Sequence, residues 1–149
     1  MEQLKLNLFT VNGIGIRTNN RDEMDPQKAK IPGLWENFGK GLGAAIPPEV
    51  FGVYTHYESD EQGAYDLFAT VKETFPGIGM GEGQSIYLTI PEGTYFKFTR
   101  SGPPKEACMG LWQEIWAYFQ SPDSPKRTFV CDFEAYTGDA ISIYIGIEA

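Results

Sequence analysis

Apolar and polar positions alternate most regularly over Thr128-Phe129-Val130-Cys131-Asp132-Phe133-Glu134-Ala135-Tyr136, the two-residue period of a strand. Phe129, Cys131, Phe133 and Ala135 fall on one side, and Val130, Asp132, Glu134 and Tyr136 on the other. Ile141 to Ile147 has the same form, four isoleucines opposing Ser142, Tyr144 and Gly146. Two such strands predict a sheet with one greasy face for a helix and a second face of tyrosine, serine and acid, which is either solvent or a pocket. Glu134, turned away from the helix-packed side, is the residue that this pattern leaves to be explained.

The remaining elements follow from the same periods. Leu4 to Leu8 alternates and runs on into Gly13 to Asn20, whose glycines predict a bulge or a close backbone approach. Val50 to Glu58 and Tyr65 to Lys72 read as strands. Ser85 to Ile90, the Pro91-Glu92-Gly93 turn and Thr94 to Arg100 predict a hairpin. Helical spacing appears over residues 105–119, with Cys108, Leu111, Trp112, Ile115 and Phe119 as the core stripe, and again after Pro32-Gly33, where Leu34, Trp35 and Phe38 share a side. Trp116 and Tyr118 extend the aromatic arc beyond a narrow stripe.

Gly33-Leu34-Trp35-Glu36-Asn37-Phe38 resembles Gly110-Leu111-Trp112-Gln113-Glu114-Ile115, so each half reads as strand, helix, strand, strand. The halves span about residues 1–76 and 84–149 of a single domain, and Phe75 to Gly83 is the glycine-rich crossing between them. No Gly-Lys-Ser/Thr follows those glycines, which removes a phosphate loop. The fold class expected is α+β: duplicated strand-helix-strand-strand modules forming a curved antiparallel sheet, helices on one side, and a ligand cleft between pseudo-twofold halves.

Composition narrows the function. A chain of 149 residues with 42% hydrophobic content suits one domain, and no run approaches the roughly 20 apolar residues of a membrane span, so a cytoplasmic protein without a membrane partner is expected. The net charge of −8, spread over both halves, disfavours a nucleic-acid surface and favours cationic ligands. Two cysteines without ligand spacing and the lone His56 assemble no ordinary zinc site, and no cofactor is implied.

A carboxylate in a closed apolar cleft costs several kcal/mol unless it protonates, accepts hydrogen bonds or meets a cation. A planar organic cation would meet that need by pairing with Glu134 and stacking over rings. Tyr136 and Tyr144 share the acid's parity. Tyr54, Tyr87 and Tyr95 are further candidates, and Trp35 and Trp116 are candidate walls. Tyr57 is a further candidate ring whose parity, that of Phe51 and Val53, leaves it open between the pocket and the core; Asp132 is placed at the pocket rim or in solvent. His56, on the first-half strand related to that of Glu134, is the remaining polar candidate. An exposed sheet edge leaves open the pairing of two copies.

This organisation resembles the GyrI-like group, the effector-binding domains of AraC-type and MerR-type multidrug regulators. The resemblance is carried by Gly13 to Asn20, Ile31 to Phe38, Pro91-Glu92-Gly93-Thr94-Tyr95 ahead of Phe98 to Pro103, Trp112 to Phe119, Phe133-Glu134-Ala135-Tyr136 and Ile143 to Ile147. It implies a pocket between two modules whose central acid, here Glu134, pairs with a lipophilic cation. With no helix-turn-helix segment in the pattern, the stand-alone members are the expected match, including drug-binding proteins of mobile integron cassettes. The resemblance also implies two alternatives. One is hydrolysis of a reactive toxin, with Glu134 as base and Tyr95, Tyr136 or Tyr144 positioning or donating a proton. The other is modulation of a topoisomerase or a transcription regulator through protein contact.

Overall fold

In the computed structural model, which describes residues 1–75 and 85–148, one antiparallel sheet carries most of the chain. Its strands are β1 (Glu2–Leu6), β2 (Phe9–Thr18), β3 (Val50–Thr55), β4 (Tyr65–Lys72), β5 (Ile86–Ile90), β6 (Gly93–Ser101), β7 (Arg127–Thr137) and β8 (Ala140–Ile147). The helices are α1 (Asn20–Glu23), α2 (Ile31–Leu42) and α3 (Pro104–Phe119). The glycine-rich crossing lies, from residue 76 onward, outside the described residues.

Across the sheet the order is β1-β6-β8-β7-β3-β4-β2-β5. Read from either end, an outer strand is followed by the first, third and second strands of one half, so β7 and β3 meet at the centre. The expected hairpin of β5 and β6 does not form. β5 pairs with β2 at one edge, while β6 sits between β1 and β8 near the other. Leu6 lies opposite Gly93 and Phe9 opposite Ile90, so two long ribbons run side by side and both change flank at Asn7-Leu8 and Pro91-Glu92. Pro91 has no N–H to continue the β5 ladder, which suits that break. The sheet therefore curves strongly while remaining open.

The curvature buries the inner face without any helix. Val11, Phe51, Phe68, Ile90, Tyr95 and Phe133 form a core there, with Leu6, Phe9, Leu88 and Tyr144 against it. A Cβ at Gly13 would overlap the Ala69 carbonyl, so β2 and β4 can run this close only with glycine; of the two readings of these glycines, close approach is the one that holds.

The helices cover the outer face. On one flank, Leu34 and Phe38 of α2 pack on Tyr65, Leu67, Ala69 and Val71 of β4. On the other, Leu111, Trp112 and Ile115 of α3 pack on Phe98 and on Ile141, Ile143, Ile145 and Ile147.

This corrects the expected facing of Glu134. It lies opposite Ile143 on β8 and Gly52 on β3, hence on the helix side, whereas Phe133 lies opposite Tyr144 inside the curve. Alternation separates two faces but does not say which carries helices when curvature buries the other. Because α2 and α3 each cover a flank, the central strands β3 and β7 are left bare between them.

Candidate functional site

A cavity of about 710 Å³ occupies that gap. Its floor is Val50 and Tyr54 of β3 with Glu134 and Tyr136 of β7; Ile31, Pro32 and Trp35 of α2 form one wall, and Cys108, Met109, Trp112 and Trp116 of α3 the other. Tyr57, Tyr65 and Arg127 close one end, and Glu23, Glu61 and Lys105 belong to the lining as well.

Local sequence fixes both walls. Helix α2 begins with Pro32 in its first turn, and its cap residue Lys30 makes no side-chain cap bond. Glu23 takes over that task, accepting from the Lys30 N–H at 2.9 Å, the Ile31 N–H at 3.0 Å and the Thr18 hydroxyl at 2.6 Å. A carboxylate at a helix N-terminus is favoured by both hydrogen bonding and the helix dipole. On α3, Cys108, Trp112 and Trp116 recur every four residues and so turn one stripe toward the cavity.

Glu134 is only 1% exposed. Its Oε2 accepts from the Tyr54 hydroxyl at 2.7 Å, the Trp112 indole N–H at 2.7 Å and the Cys108 thiol at 3.4 Å; Oε1 accepts from the Tyr136 hydroxyl at 2.9 Å. Burial, and then the charge of Glu134, pushes the Tyr54 and Tyr136 hydroxyls and the Cys108 thiol well above their ordinary pKa values. They stay protonated and therefore donate. Among the described residues no Lys, Arg or His forms a salt bridge with Glu134.

Aromatic contacts hold these donors in place. Trp35 meets Tyr136 edge-on with centroids 5.7 Å apart, and Tyr54 meets Trp112 at 5.2 Å. Trp112 lies 5.9 Å from Trp116, which continues the wall outward.

The neighbouring acid is treated differently. Asp132, 0% exposed, accepts from Arg127 Nη2 at 2.7 Å, the Gly146 N–H at 2.8 Å and the Tyr57 hydroxyl. It is a buried ion pair rather than a rim or solvent residue. The Arg127 guanidinium also stands 4.3 Å over the Phe129 ring.

Two positive-φ residues build this end. His56, at φ 51°, reverses the facing of the chain after β3, so that Tyr57 reaches the cavity instead of following Phe51 and Val53 into the inner core. Phe129, at φ 53°, lies within an irregularity in which Arg127 to Asp132 of β7 span only Ile147 to Ile145 of β8. Simple alternation misplaces Tyr57 and Phe129 because it assumes unbroken β geometry.

Of the candidates named from sequence, the cavity gathers Glu134, Tyr136, Tyr54, Tyr57, Trp35 and Trp116. Tyr144 and Tyr95 are not there. Tyr144 stacks on Phe133 at 4.5 Å inside the curve, where Tyr95 is also buried, its hydroxyl donating to the Pro91 carbonyl at 2.7 Å. Both are across the sheet from Glu134, so neither can pass a proton to a group held beside it. Tyr87 is 68% exposed on the edge strand β5. His56 stays on the surface, its Nδ1 2.7 Å from Asp66, which also takes Arg17 at 3.1 Å. The sequence pattern does not bring Trp112, Cys108, Tyr65 or Arg127 to the pocket; the four-residue spacing of Cys108, Trp112 and Trp116 is the signal available for two of them.

Among the described residues, no helix is long and apolar enough to cross a membrane, and no group of three His, Cys, Asp or Glu side chains is arranged to hold a metal ion.

Comparison with known proteins places this geometry. The family model described as Cass2, integron-associated effector binding protein, matches residues 4–147. An integron cassette protein from the mobile metagenome of Vibrio cholerae is 35% identical, superposes with a TM-score of 0.88, and is covered over 95% of its length by 99% of this chain. The structure of SAV2435 bound to tetraphenylphosphonium shares the fold at 13% identity and a TM-score of 0.65, covering 99% of this chain and 93% of that one. The C-terminal domain of EcmrR shares it at 15% identity and 0.51, covering 99% and 96%. No curated protein matches the sequence.

Proposed function

The chain belongs to the integron-associated effector-binding protein family, and from that premise we propose that it binds lipophilic organic cations, with Glu134 as the counter-charge. The observation that carries this reading is a fully buried carboxylate at the floor of an aromatic cavity, supplied with four neutral donors and joined by no salt bridge to a cationic side chain among the described residues. Neutral donors offset much of the desolvation of an ionised carboxylate but leave its charge uncompensated. A bound cation supplies the missing charge.

The surrounding rings add to the fit. Trp35, Trp112, Trp116, Tyr54 and Tyr136 offer faces to a delocalised cation, each desolvated contact contributing roughly 0.5–2 kcal/mol. The cavity volume suits a molecule of drug size. A net charge of −8, with Glu23 and Glu61 in the lining, favours cation approach. Tetraphenylphosphonium, named with the distant structural relative SAV2435, is a cation of suitable shape for a first test.

We read residues 1–76 and 84–149 as two copies of one module, with the cavity on the axis between them; the mirrored strand order supports this. Such a molecule would act alone as a drug-binding or effector-sensing protein, or pass its bound state to a transcription-related partner.

Calorimetric titration with tetraphenylphosphonium and with neutral triphenylphosphine oxide tests the reading. Saturable binding of the cation, absent or much weaker for the neutral compound and lost in Glu134→Gln, is the expected result. Equal affinity of Glu134→Gln and wild type for the cation overturns it.

A further inference from the structure

We propose that the cavity has a second recognition point at Arg127, which takes a neutral hydrogen-bond acceptor of the ligand, such as a ketone, ether or amide oxygen, held away from the cationic centre. This inference rests on the cation-binding reading of the same cavity and names the class of cation that fits it best.

Arg127 lines the cavity with its side chain only 6% exposed. A guanidinium carries five N–H donors. The side-chain hydrogen bond made by Arg127 among the described residues runs from Nη2 to Asp132, and Nε is buried with no partner. A buried donor without an acceptor costs on the order of 1–3 kcal/mol, which marks this guanidinium as short of acceptors, and the part of Arg127 that lines the cavity is where a ligand oxygen can supply one. Stacking over Phe129 and the bond to Asp132 hold the guanidinium in place, so a ligand would have little ordering to do.

Charge decides what kind of acceptor fits. Asp132, fully buried, already neutralises Arg127 and also receives the Tyr57 hydroxyl. An anionic ligand group would be placed beside Asp132 with no spare positive charge to balance it. A neutral oxygen uses the free donors without that repulsion.

Geometry decides where the acceptor belongs. Asp132, which anchors Arg127, and Glu134 are same-face neighbours on β7, so about 7 Å separates their positions along the strand. The ligand selected is a cation whose neutral oxygen lies on the order of that distance from the charge.

The test compares (4-acetylphenyl)triphenylphosphonium with (4-isopropylphenyl)triphenylphosphonium, which have similar shape but differ in the acceptor, by calorimetry on the full chain. Wild type is expected to prefer the acetyl compound by about tenfold, the size of one hydrogen bond to a charged donor. Arg127→Lys, which keeps a cation for Asp132 but removes the guanidinium donors, should reduce that preference to less than about twofold. Equal affinity of wild type for both compounds overturns this inference alone, as does a preference that survives in Arg127→Lys. If Arg127→Lys does not fold, the wild-type comparison is completed with the 2-acetyl isomer, whose oxygen lies too near the phosphorus; retention of the tenfold preference by that isomer also overturns it. Failure of all these cations to bind overturns the cation reading itself and this inference with it.

Discussion

Asp132 and Glu134 stand two residues apart on one face of β7, both buried, yet among the described residues only Asp132 is met by a cationic side chain. The same strand face thus carries a neutralised acid and an unneutralised one, and the unneutralised one lines the cavity. A ligand that brings positive charge can add to the second but not to the first.

The two acids should therefore respond in opposite ways to neutralisation. Asp132→Asn leaves Arg127 buried without its counter-charge and should lower folding stability by roughly 3–5 kcal/mol. Glu134→Gln removes a charge that has no partner; it should change stability by less than about 2 kcal/mol while reducing tetraphenylphosphonium affinity at least tenfold. Urea denaturation and calorimetry on both variants check the pair, and equal destabilisation by the two substitutions would contradict the assignment.

Gly52 leaves the space that the Glu134 carboxylate occupies. A Cβ built there would lie 2.6 Å from Glu134 Oε1 and 3.2 Å from Trp35 Cζ2. Oε1 is the oxygen that accepts the Tyr136 hydroxyl, so Gly52→Ala should displace the carboxylate and strain that bond. The expected result is a cation affinity reduced about tenfold with a stability loss of roughly 1–3 kcal/mol. Wild-type affinity in a folded Gly52→Ala protein would show that the carboxylate position is unimportant for binding.

The limits of the sequence are local and physical. Strand alternation correctly separates Glu134 and Tyr136 from Phe133 and Ala135, and helical spacing correctly finds the buried side of α3. Relating β7 to β8 needed their register, and that register places Tyr144 against Phe133 rather than beside the acid. No periodicity reports the curvature that gives the sheet a second buried face. Nor does it report a left-handed backbone at a non-glycine residue, which is why parity alone groups Tyr57 with Phe51 and Val53. The hairpin of β5 and β6 failed for a related reason: a short link containing Pro can change flank as readily as reverse direction.

His56 offers a direct check on that reversal. Its φ of 51° is costly for most L-residues and worst for β-branched ones. His56→Gly should retain cation binding and the placement of Tyr57, while His56→Val should weaken binding about threefold to tenfold and lower stability by about 1–3 kcal/mol. The loss should come with release of the Tyr57 to Asp132 hydrogen bond, visible as a shift of the Tyr57 ring signals in NMR spectra. If Gly and Val variants bind and unfold alike, the turn at residue 56 does not position the cavity.

Alkaline pH tests whether the cavity donors are held protonated by the fold. Tyr54 and Tyr136 have their pKa values raised by burial first and by the charge of Glu134 second. The unfolded chain releases these protons near pH 10, the ordinary tyrosine value, while the folded chain retains them. Their stabilising contribution is therefore complete below about pH 10 and is lost as pH rises toward the folded-state values. Each such tyrosine should steepen the decline by about 1.4 kcal/mol per pH unit over that window. Tyr54→Phe removes one titrating group, so between pH 10 and 11 its stability should fall by about 1 kcal/mol less than that of wild type, although its value at pH 8 is lower by about 1 kcal/mol because Glu134 has lost a donor. Denaturant unfolding followed by tryptophan fluorescence at pH 8, 10 and 11 measures both effects. Parallel curves for wild type and Tyr54→Phe would mean that Tyr54 ionises in the fold as freely as it does in the open chain, which a hydroxyl buried against an ionised carboxylate should not do.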